Sequence, residues 1–382
     1  MAGLYIHIPF CKSRCIYCGF YSTVGTSLAQ QYVDAVCREM EIRDRGVEPL
    51  ETIYLGGGTP SQLGIEQLQQ LFLYINKVYD HQAKEVTIEV NPDDVTAEYA
   101  KALPQLGINR VSMGAQTFND RRLRFLHRRH TAEQVAQAVR LLREAGIQNI
   151  SVDLMYGFPN ETIDEWQQDI NAVLDLQVEH ISAYCLMIEE GTPLYKLMHK
   201  GDGSRCAQDC VQENRPQNAL NEELERQMFE VLIDKLTSAG YEHYEISNFA
   251  LPGYRSRHNS SYWHDIPYIG LGAAAHSYDR NCRSWNVADI RQYIESIRQD
   301  LLPTEQEEID AATHYNDCIT TALRTSDGLD LTTLPDSYRS YCLQEAQRFL
   351  NDGLLRLHDN HLILTRKGLF VSDYILSDLI YA

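Results

Sequence analysis

Six short apolar runs, at residues 3–8, 51–55, 85–90, 109–113, 149–154 and 179–186, alternate with amphipathic stretches over the first half of this chain. Thr131 with Gln134 forms a capping-box pattern ahead of Val135, Ala138, Val139 and Leu142, whose spacing puts them on one helical face, and Gly146 follows as a stop. Thr162 with Glu165 repeats the device before Trp166, Ile170, Val173 and Leu174. Strands that each lead into a covering helix imply a parallel sheet. The unusual residues gather just past the carboxyl end of each strand, the rim where β/α barrels build their active sites. The predicted fold class is α/β: a partial barrel of six β–α units with a laterally open mouth.

The first strand end carries three cysteines within eight residues, Cys11, Cys15 and Cys18, after Leu4-Tyr5-Ile6-His7-Ile8. A closed structural zinc site wants four protein ligands, whereas an iron–sulfur cube is held by cysteine thiolates. A C-x3-C-x2-C triplet supplies three thiolates and no fourth, so an assembly bound there keeps one position open for a small molecule. The spacing points to a [4Fe–4S] cluster. The competing use is a structural or zinc site that recruits His7 or Cys37.

Lys+Arg 34 against Asp+Glu 53 gives a net charge of −19, which argues against a surface that tracks nucleic-acid phosphates. Arg121, Arg122, Arg124, Arg128 and Arg129 cluster, either as a local basic groove or as a solvated helix face. No apolar run reaches the ~18 residues of a spanning helix, so no membrane span is expected. Ten cysteines without an export signal predict thiols kept reduced in the cytoplasm. Those outside the triplet, at 37, 185, 206, 210, 282, 318 and 342, are expected as buried or surface thiols, with Cys206 and Cys210 a candidate pair for a second metal site or a disulfide.

Residues 200–217, with Gly201, Gly203, Ser204 and Pro216, are expected as an exposed linker, followed by a helix at 218–239 and a strand at Tyr241–Ile246. The acidic stretch 303–308 is expected as the next boundary. Beyond it come helices and a hairpin with arms Leu354–His358 and His361–Leu364 turned through Asp359-Asn360. That order resembles a winged-helix module, and the acidic balance favours packing over DNA binding. The predicted division is a core over 1–235, a connecting segment over 236–302 and a C-terminal domain over 303–382.

Gly56-Gly57-Gly58-Thr59-Pro60 ends the second strand. Glycines there let backbone approach a ligand and leave amide hydrogens free to bind it, although a tight turn explains them equally well. No Gly-Lys-Ser/Thr follows, so this is not a phosphate loop. Glu89, Gln116, Arg128 and Asp153 lie at or near other strand ends. Each alone suits a surface group or a satisfied hydrogen-bonder. Together they suit a zwitterion, with carboxylates for an ammonium or ribose hydroxyls and Arg128 for a carboxylate.

With these motifs the chain resembles the radical S-adenosylmethionine (SAM) superfamily. In that family the cysteines hold three irons and SAM chelates the fourth. An electron from the cluster can cleave the sulfonium to a 5′-deoxyadenosyl radical, the cofactors carrying the chemistry that the protein orients. The strings Tyr5-Ile6-His7-Ile8-Pro9-Phe10-Cys11, Gly107–Phe118 and Asp153–Pro159 resemble the oxygen-independent coproporphyrinogen oxidase subfamily, and the likeness runs over nearly the whole chain. It implies SAM contacts from Tyr5, Gly57, Gly58, Thr59, Glu89, Gln116, Arg128 and Asp153, and an electron donor if SAM is cleaved.

Two departures argue against oxidase chemistry. The oxidases carry a further cysteine where this chain has Phe20, and a long N-terminal arm where this chain starts ten residues before Cys11. The segment Arg257–Trp263 contains H-N-x-x-Y-W, which resembles the haem-binding signature of the HemW haem chaperones. The resemblance implies haem contacts from His258, Asn259, Tyr262 and Trp263, imidazole being a normal iron ligand and aromatic rings packing on a porphyrin. The alternative is that His258 and Asn259 cap a turn while Tyr262 and Trp263 fill a core. Tyr268–His276 resembles the same family's glycine-rich stretch and makes His276 a second candidate for iron or a propionate; Tyr254, Arg255 and Arg257 are either propionate contacts or solvated groups. The implied function is a cytoplasmic haem chaperone that passes haem to an acceptor protein. The alternatives are a coproporphyrinogen III oxidase of porphyrin biosynthesis, and an RNA-modifying radical-SAM enzyme, which would want a basic domain this composition lacks.

Overall fold

The computed structural model describes residues 2–43, 49–79, 81–199 and 222–381. Six strands, β1 (Ala2–Ile8), β2 (Leu50–Gly57), β3 (His81–Val90), β4 (Arg110–Gln116), β5 (Asn149–Tyr156) and β6 (His180–Cys185), pair in parallel in that order. Their bounds fall close to the six apolar runs. Covering helices begin where the sequence caps them: Thr131 N donates to Gln134 Oε1 at 2.9 Å, and Thr162 N donates to Glu165 Oε2 at 3.0 Å. The outward side chains of the strands and the inward faces of the helices form one core, from Leu4 and Ile6 through Ile53, Ile88 and Val111 to Val152 and Ile181.

The sheet stays open and grows at both edges to twelve strands among the described residues. Beside β6 lie β7 (Glu242–Glu245) and β8 (Asn248–Ala250), β8 pairing antiparallel with β6. Beside β1 lies β9 (Tyr268–Leu271), parallel, with Gly3 opposite Tyr268 and Ile6 opposite Leu271. Three antiparallel strands follow, β10 (His276–Tyr278), β11 (Cys282–Asn286) and β12 (Thr304–Glu308). The segment 236–302 thus adds strands to both edges of the barrel sheet. The acidic stretch expected as a boundary is itself the outermost strand, and its carboxylates discourage a further chain from pairing there.

Fully buried Glu39 fastens the extension to the barrel. Its carboxylate accepts from Gly272 N at 2.8 Å, Asn286 Nδ2 at 2.8 Å and Tyr293 Oη at 2.5 Å, and pairs with Arg43 at 2.8 Å. A buried charge persists only when its lone pairs are filled in this way.

The C-terminal part has its own core, including Tyr315, Ile319, Phe349, Leu362 and Leu379. Helices Ala311–Ala322 and Asp336–Asn351 pack on a small antiparallel sheet of β13 (Leu329–Asp330), β14 (Leu355–His358) and β15 (His361–Leu364), a winged-helix-like order. The hairpin turns through Asp359 and Asn360 at φ 47° and 63°, the left-handed pair a two-residue turn demands. The described helix Glu222–Ser238 and strand β7 match the predicted helix and strand. The predicted linker at 200–217, with Cys206 and Cys210, lies outside the described residues. The described cysteines are free thiols, and no described helix is long and apolar enough to cross a membrane.

Candidate functional site

The carboxyl rim is tied together by side chains from four strand ends. Cys11 Sγ lies 3.6 Å from Thr59 Oγ1, which accepts from Asn91 Nδ2 at 3.4 Å. Arg128 Nη2 donates to Asn91 Oδ1 at 2.7 Å and to the Gly114 carbonyl, and Arg128 Nη1 points at Cys15 Sγ at 3.6 Å. One hydrogen-bonded chain therefore runs from Cys11 to Cys15 through β2, β3 and β4. Arg128 reaches the rim because Leu123 O and Arg128 N close the turn after helix Asp120–Phe125 at 2.8 Å.

These residues fit an iron–sulfur cube. Cys11, Cys15 and Cys18 are all partly exposed free thiols on one loop, near enough to one another for their charges to interact. Burial pushes the Cys11 and Cys18 thiols up, a cost that iron removes by taking the place of the proton. Among the described residues no three His, Cys, Asp or Glu side chains gather around a single ion. A cube takes one thiolate per iron, so its ligands need not converge on a point.

Two buried carboxyls also face the barrel interior. Burial raises Glu89 to about 7, against the opposing effect of Tyr54 Oη at 2.8 Å and Gly57 N at 3.1 Å. Burial likewise raises Asp153 to about 6, with Ser112 Oγ donating at 3.4 Å. Such groups gain from a cationic ligand that donates N–H or O–H bonds. Gln116, buried at φ 68°, follows an irregularity in the β4–β5 pairing between Gly114 and Gln116. A non-glycine residue held in the left-handed region at a bulge is the kind of strain that re-aims a side chain at a site.

The glycine loop differs from expectation. Gly57 N is spent on Glu89, and Gly58 N donates to Ile8 O at 2.9 Å, so neither amide is free for a ligand. Gly57 sits at φ 112°, and a Cβ there would lie 2.5 Å from the His7 ring. The glycines let the loop fold tightly onto β1. Tyr5 faces inward in the same layer, with Tyr5 Oη 3.1 Å from His7 Nδ1 and its ring 6.1 Å from that of Tyr54.

Sequence reasoning passed over Asn91, Tyr54 and Arg110. Asn91 lies two residues past Glu89, so strand alternation alone places both on the inner face. Arg110 shares the inner face of β4 with Ser112 by the same rule. It is 1 % exposed, and its Nε and Nη1 lack a partner among the described residues.

The HNxxYW segment lies at the opposite, amino-terminal end of the barrel strands. Helix Arg257–Trp263 is capped by Ser256, whose Oγ accepts from Asn259 N at 3.3 Å, and Glu85 accepts from Arg257 N and His258 N, each at 2.9 Å. His258 is 1 % exposed. Its Nδ1 lies 2.8 Å from Thr52 Oγ1, its Nε2 lies 2.8 Å from Tyr262 Oη, and its ring stacks on Tyr54 at 5.0 Å. Burial, with Arg110 nearby, lowers it to about 3, so the imidazole is neutral. In this conformation His258 plugs the barrel floor with both nitrogens engaged and offers neither to an external iron. Tyr262 packs edge-on to Tyr268 at 4.7 Å, and the Arg324 guanidinium lies 5.7 Å over the Trp263 ring.

Three thiols at the rim of a partial β/α barrel, with an arginine and buried carboxyls facing the barrel interior, are the arrangement expected of a radical-SAM protein. The model of the radical SAM superfamily matches residues 5–173, and that of the HemN C-terminal domain matches residues 309–371. The chain is 34% identical to the haem chaperone HemW of Bacillus subtilis (strain 168), over 98% of each chain. It is 31% identical to the haem chaperone HemW of Mycobacterium tuberculosis (strain H37Rv), over 99% of this chain and 94% of that one. The solved structure of the Escherichia coli coproporphyrinogen III oxidase HemN, a radical SAM enzyme, superposes with a TM-score of 0.82 at 22% identity, covering 99% of this chain and 90% of that one, and shows the shared fold. The chain belongs to the HemW family within the radical SAM superfamily.

Proposed function

We propose that this protein is a haem chaperone on a radical-SAM scaffold, binding haem and passing it to an acceptor protein in the cytoplasm. The observation that carries this is the end-to-end likeness, 34% over 98% of both chains, to a relative named a haem chaperone. Phe20, 71% exposed where the oxidases carry a cysteine, supports it against the oxidase alternative.

Cys11, Cys15 and Cys18 would hold a [4Fe–4S] cluster. Tyr5, Thr59, Glu89, Gln116, Arg128 and Asp153 would surround SAM, with Gly57 and Gly58 shaping the loop beneath it. When bound, the cluster supplies an open iron and, if an electron donor reduces it, an electron. The protein's own part is positional: Arg128 brings positive charge against Cys15, and Glu89 and Asp153, once ionised, would accept from the amino N–H groups or ribose hydroxyls of the ligand. The haem site would draw on the second segment, where His276 is the exposed histidine; His258, with both ring nitrogens engaged, would instead seat the floor helix that carries Asn259, Tyr262 and Trp263.

Anoxic incubation of the reconstituted protein with coproporphyrinogen III, SAM and a reductant, followed by mass analysis, tests the choice. Unchanged tetracarboxylate is expected. Loss of carbon dioxide would replace the chaperone assignment with the oxidase.

A further inference from the structure

The inner face of β1 continues sideways out of the barrel. Gly3 and Tyr5 on β1 stand opposite Tyr268 and Gly270 on β9, and Tyr268 in turn stands opposite Tyr278 on β10. On the next pairing Tyr278 faces Arg283 and His276 faces Trp285. This wall is therefore lined on one face by Tyr5, Tyr268, Tyr278, His276, Trp285 and Arg283. Its lower part is covered: Arg283 pairs with Asp317 of helix Ala311–Ala322 at 2.6 Å, and Tyr278 bonds Asp265, which His314 of that helix meets at 3.2 Å. Higher up the same face, His276 is exposed and Trp285 partly exposed among the described residues.

His276 occupies that upper part. Its ring is exposed and stacks on the Trp285 indole at 5.9 Å and 30° between planes, while Trp285 Nε1 is held by Glu305 Oε2 at 3.2 Å. Among the described residues no hydrogen bond holds either ring nitrogen of His276. Partial burial and the Arg283 charge lower its pKa, which keeps the imidazole in the neutral, ligating form. It stands near enough to His7 for the two rings to interact electrostatically. His7 Nε2 lies 3.0 Å from the Tyr21 carbonyl, so the inner face of β1 reaches the segment that follows Cys18.

We propose that His276 is the protein ligand of haem iron in this conformation, with Trp285 bracing its imidazole at the exposed edge of the sheet. This rests on the haem-binding function proposed above, and it separates two histidines that the sequence leaves level. His258 is closed on both nitrogens and forms the floor. His276 is open, neutral and braced by an aromatic ring.

The test is an anoxic haem titration of the cluster-loaded full chain, followed by the Soret and visible bands of the ferric and ferrous forms, in wild type, His276→Ala, His276→Met and His258→Ala. Wild type is expected to give a histidine-ligated spectrum. His276→Ala should weaken binding about tenfold or more and lose that spectrum, corresponding to at least ~1.4 kcal/mol. His276→Met should bind with shifted bands that report a thioether ligand. His258→Ala, checked by circular dichroism to be folded, should retain the wild-type bands. A folded His258→Ala that loses the histidine spectrum while His276→Ala retains it would overturn the assignment and leave haem binding intact. Absence of saturable binding in wild type would instead remove the haem-chaperone proposal itself.

Discussion

Arg128 Nη1 lies 3.6 Å from Cys15 Sγ, while Nη2 of the same guanidinium is anchored on Asn91 Oδ1 at 2.7 Å. A fixed cation thus faces the thiol loop from the far side of the barrel mouth. A planar fork can serve both contacts at once, which a lysine ammonium cannot. Arg128→Lys should reconstitute with a cluster that is lost faster under chelator, and Arg128→Ala should also destabilise the apo protein by about 1–3 kcal/mol, because buried acceptors lose their donor. The measurements are the decay of sulfur-to-iron absorption and thermal melts. Wild-type cluster lifetime in both variants would refute the role.

Glu89 makes the ligand-free protein sensitive to pH. Its folded pKa of about 7 lies above the ~4.3 of an unfolded glutamate, so the native state binds more protons between those values. Stability should therefore fall as pH rises through that window, and Asp153, raised to about 6, adds the same sign between ~3.9 and its folded value. Melting temperatures of apo protein at about pH 5 and about pH 8 should differ in that direction once compared with Glu89→Gln, which should flatten the slope. An equal slope in the variant would place the titration elsewhere.

SAM affinity should move the opposite way. A cationic ligand that donates N–H or O–H bonds favours ionised Glu89, so binding should tighten from about pH 6 to about pH 8 and then level off. Equilibrium dialysis with labelled SAM across that range gives the answer. Glu89→Gln should bind at least about tenfold more weakly at high pH; pH-independent affinity in wild type would exclude Glu89 from the SAM site.

The floor of the barrel should depend on His258 irrespective of haem. His258→Ala removes a ring that bonds Thr52 and Tyr262 and stacks on Tyr54, at a cost of about 2–4 kcal/mol in stability from the cavity and the unpaired hydroxyls. Urea unfolding of the apo protein measures it. A change below about 0.5 kcal/mol would mean the pocket collapses around the loss or the ring is not seated as described.

Glu39 offers an independent check on the sheet extension. Glu39→Ala leaves Gly272 N and Tyr293 Oη without their acceptor in the core and takes the carboxylate from Arg43, which keeps only Asn286 Oδ1 among the described residues, a loss of about 3–5 kcal/mol for a broken buried pair. Hydrogen exchange should quicken over β9 to β11 more than over β3 to β5. Uniform quickening would show that Glu39 supports the whole barrel rather than the extension.

The strand–helix alternation was legible because local signals agree with the tertiary arrangement: capping boxes at Thr131 and Thr162, apolar faces at helical spacing, and an Asp-Asn turn that tolerates positive φ. The thiol triplet was legible from spacing alone. What the sequence could not convey is non-local. Nothing near residues 257–263 announces that Glu85 and Thr52, about two hundred positions earlier, will hold that helix on the barrel floor. Tyr268–Leu271 is short and glycine-containing, yet it pairs with β1 because their parallel register is fixed by contacts around Glu39. The acidic run at 303–308 resembled a boundary because an edge strand, solvated on one side, carries the same composition as a loop. Glycine-rich Gly56–Gly58 suggested free amides, and packing against His7 and Glu89 consumed them.

On the reading proposed above, this radical-SAM chain carries haem. Its most direct test is a titration of haem into the anoxic, cluster-reconstituted wild-type protein, read by difference absorbance at the Soret band with serum albumin as a competitor of known affinity. The protein should saturate at about one haem per chain, with a dissociation constant in or below the micromolar range. Linear, unsaturable uptake that albumin removes completely would contradict that reading.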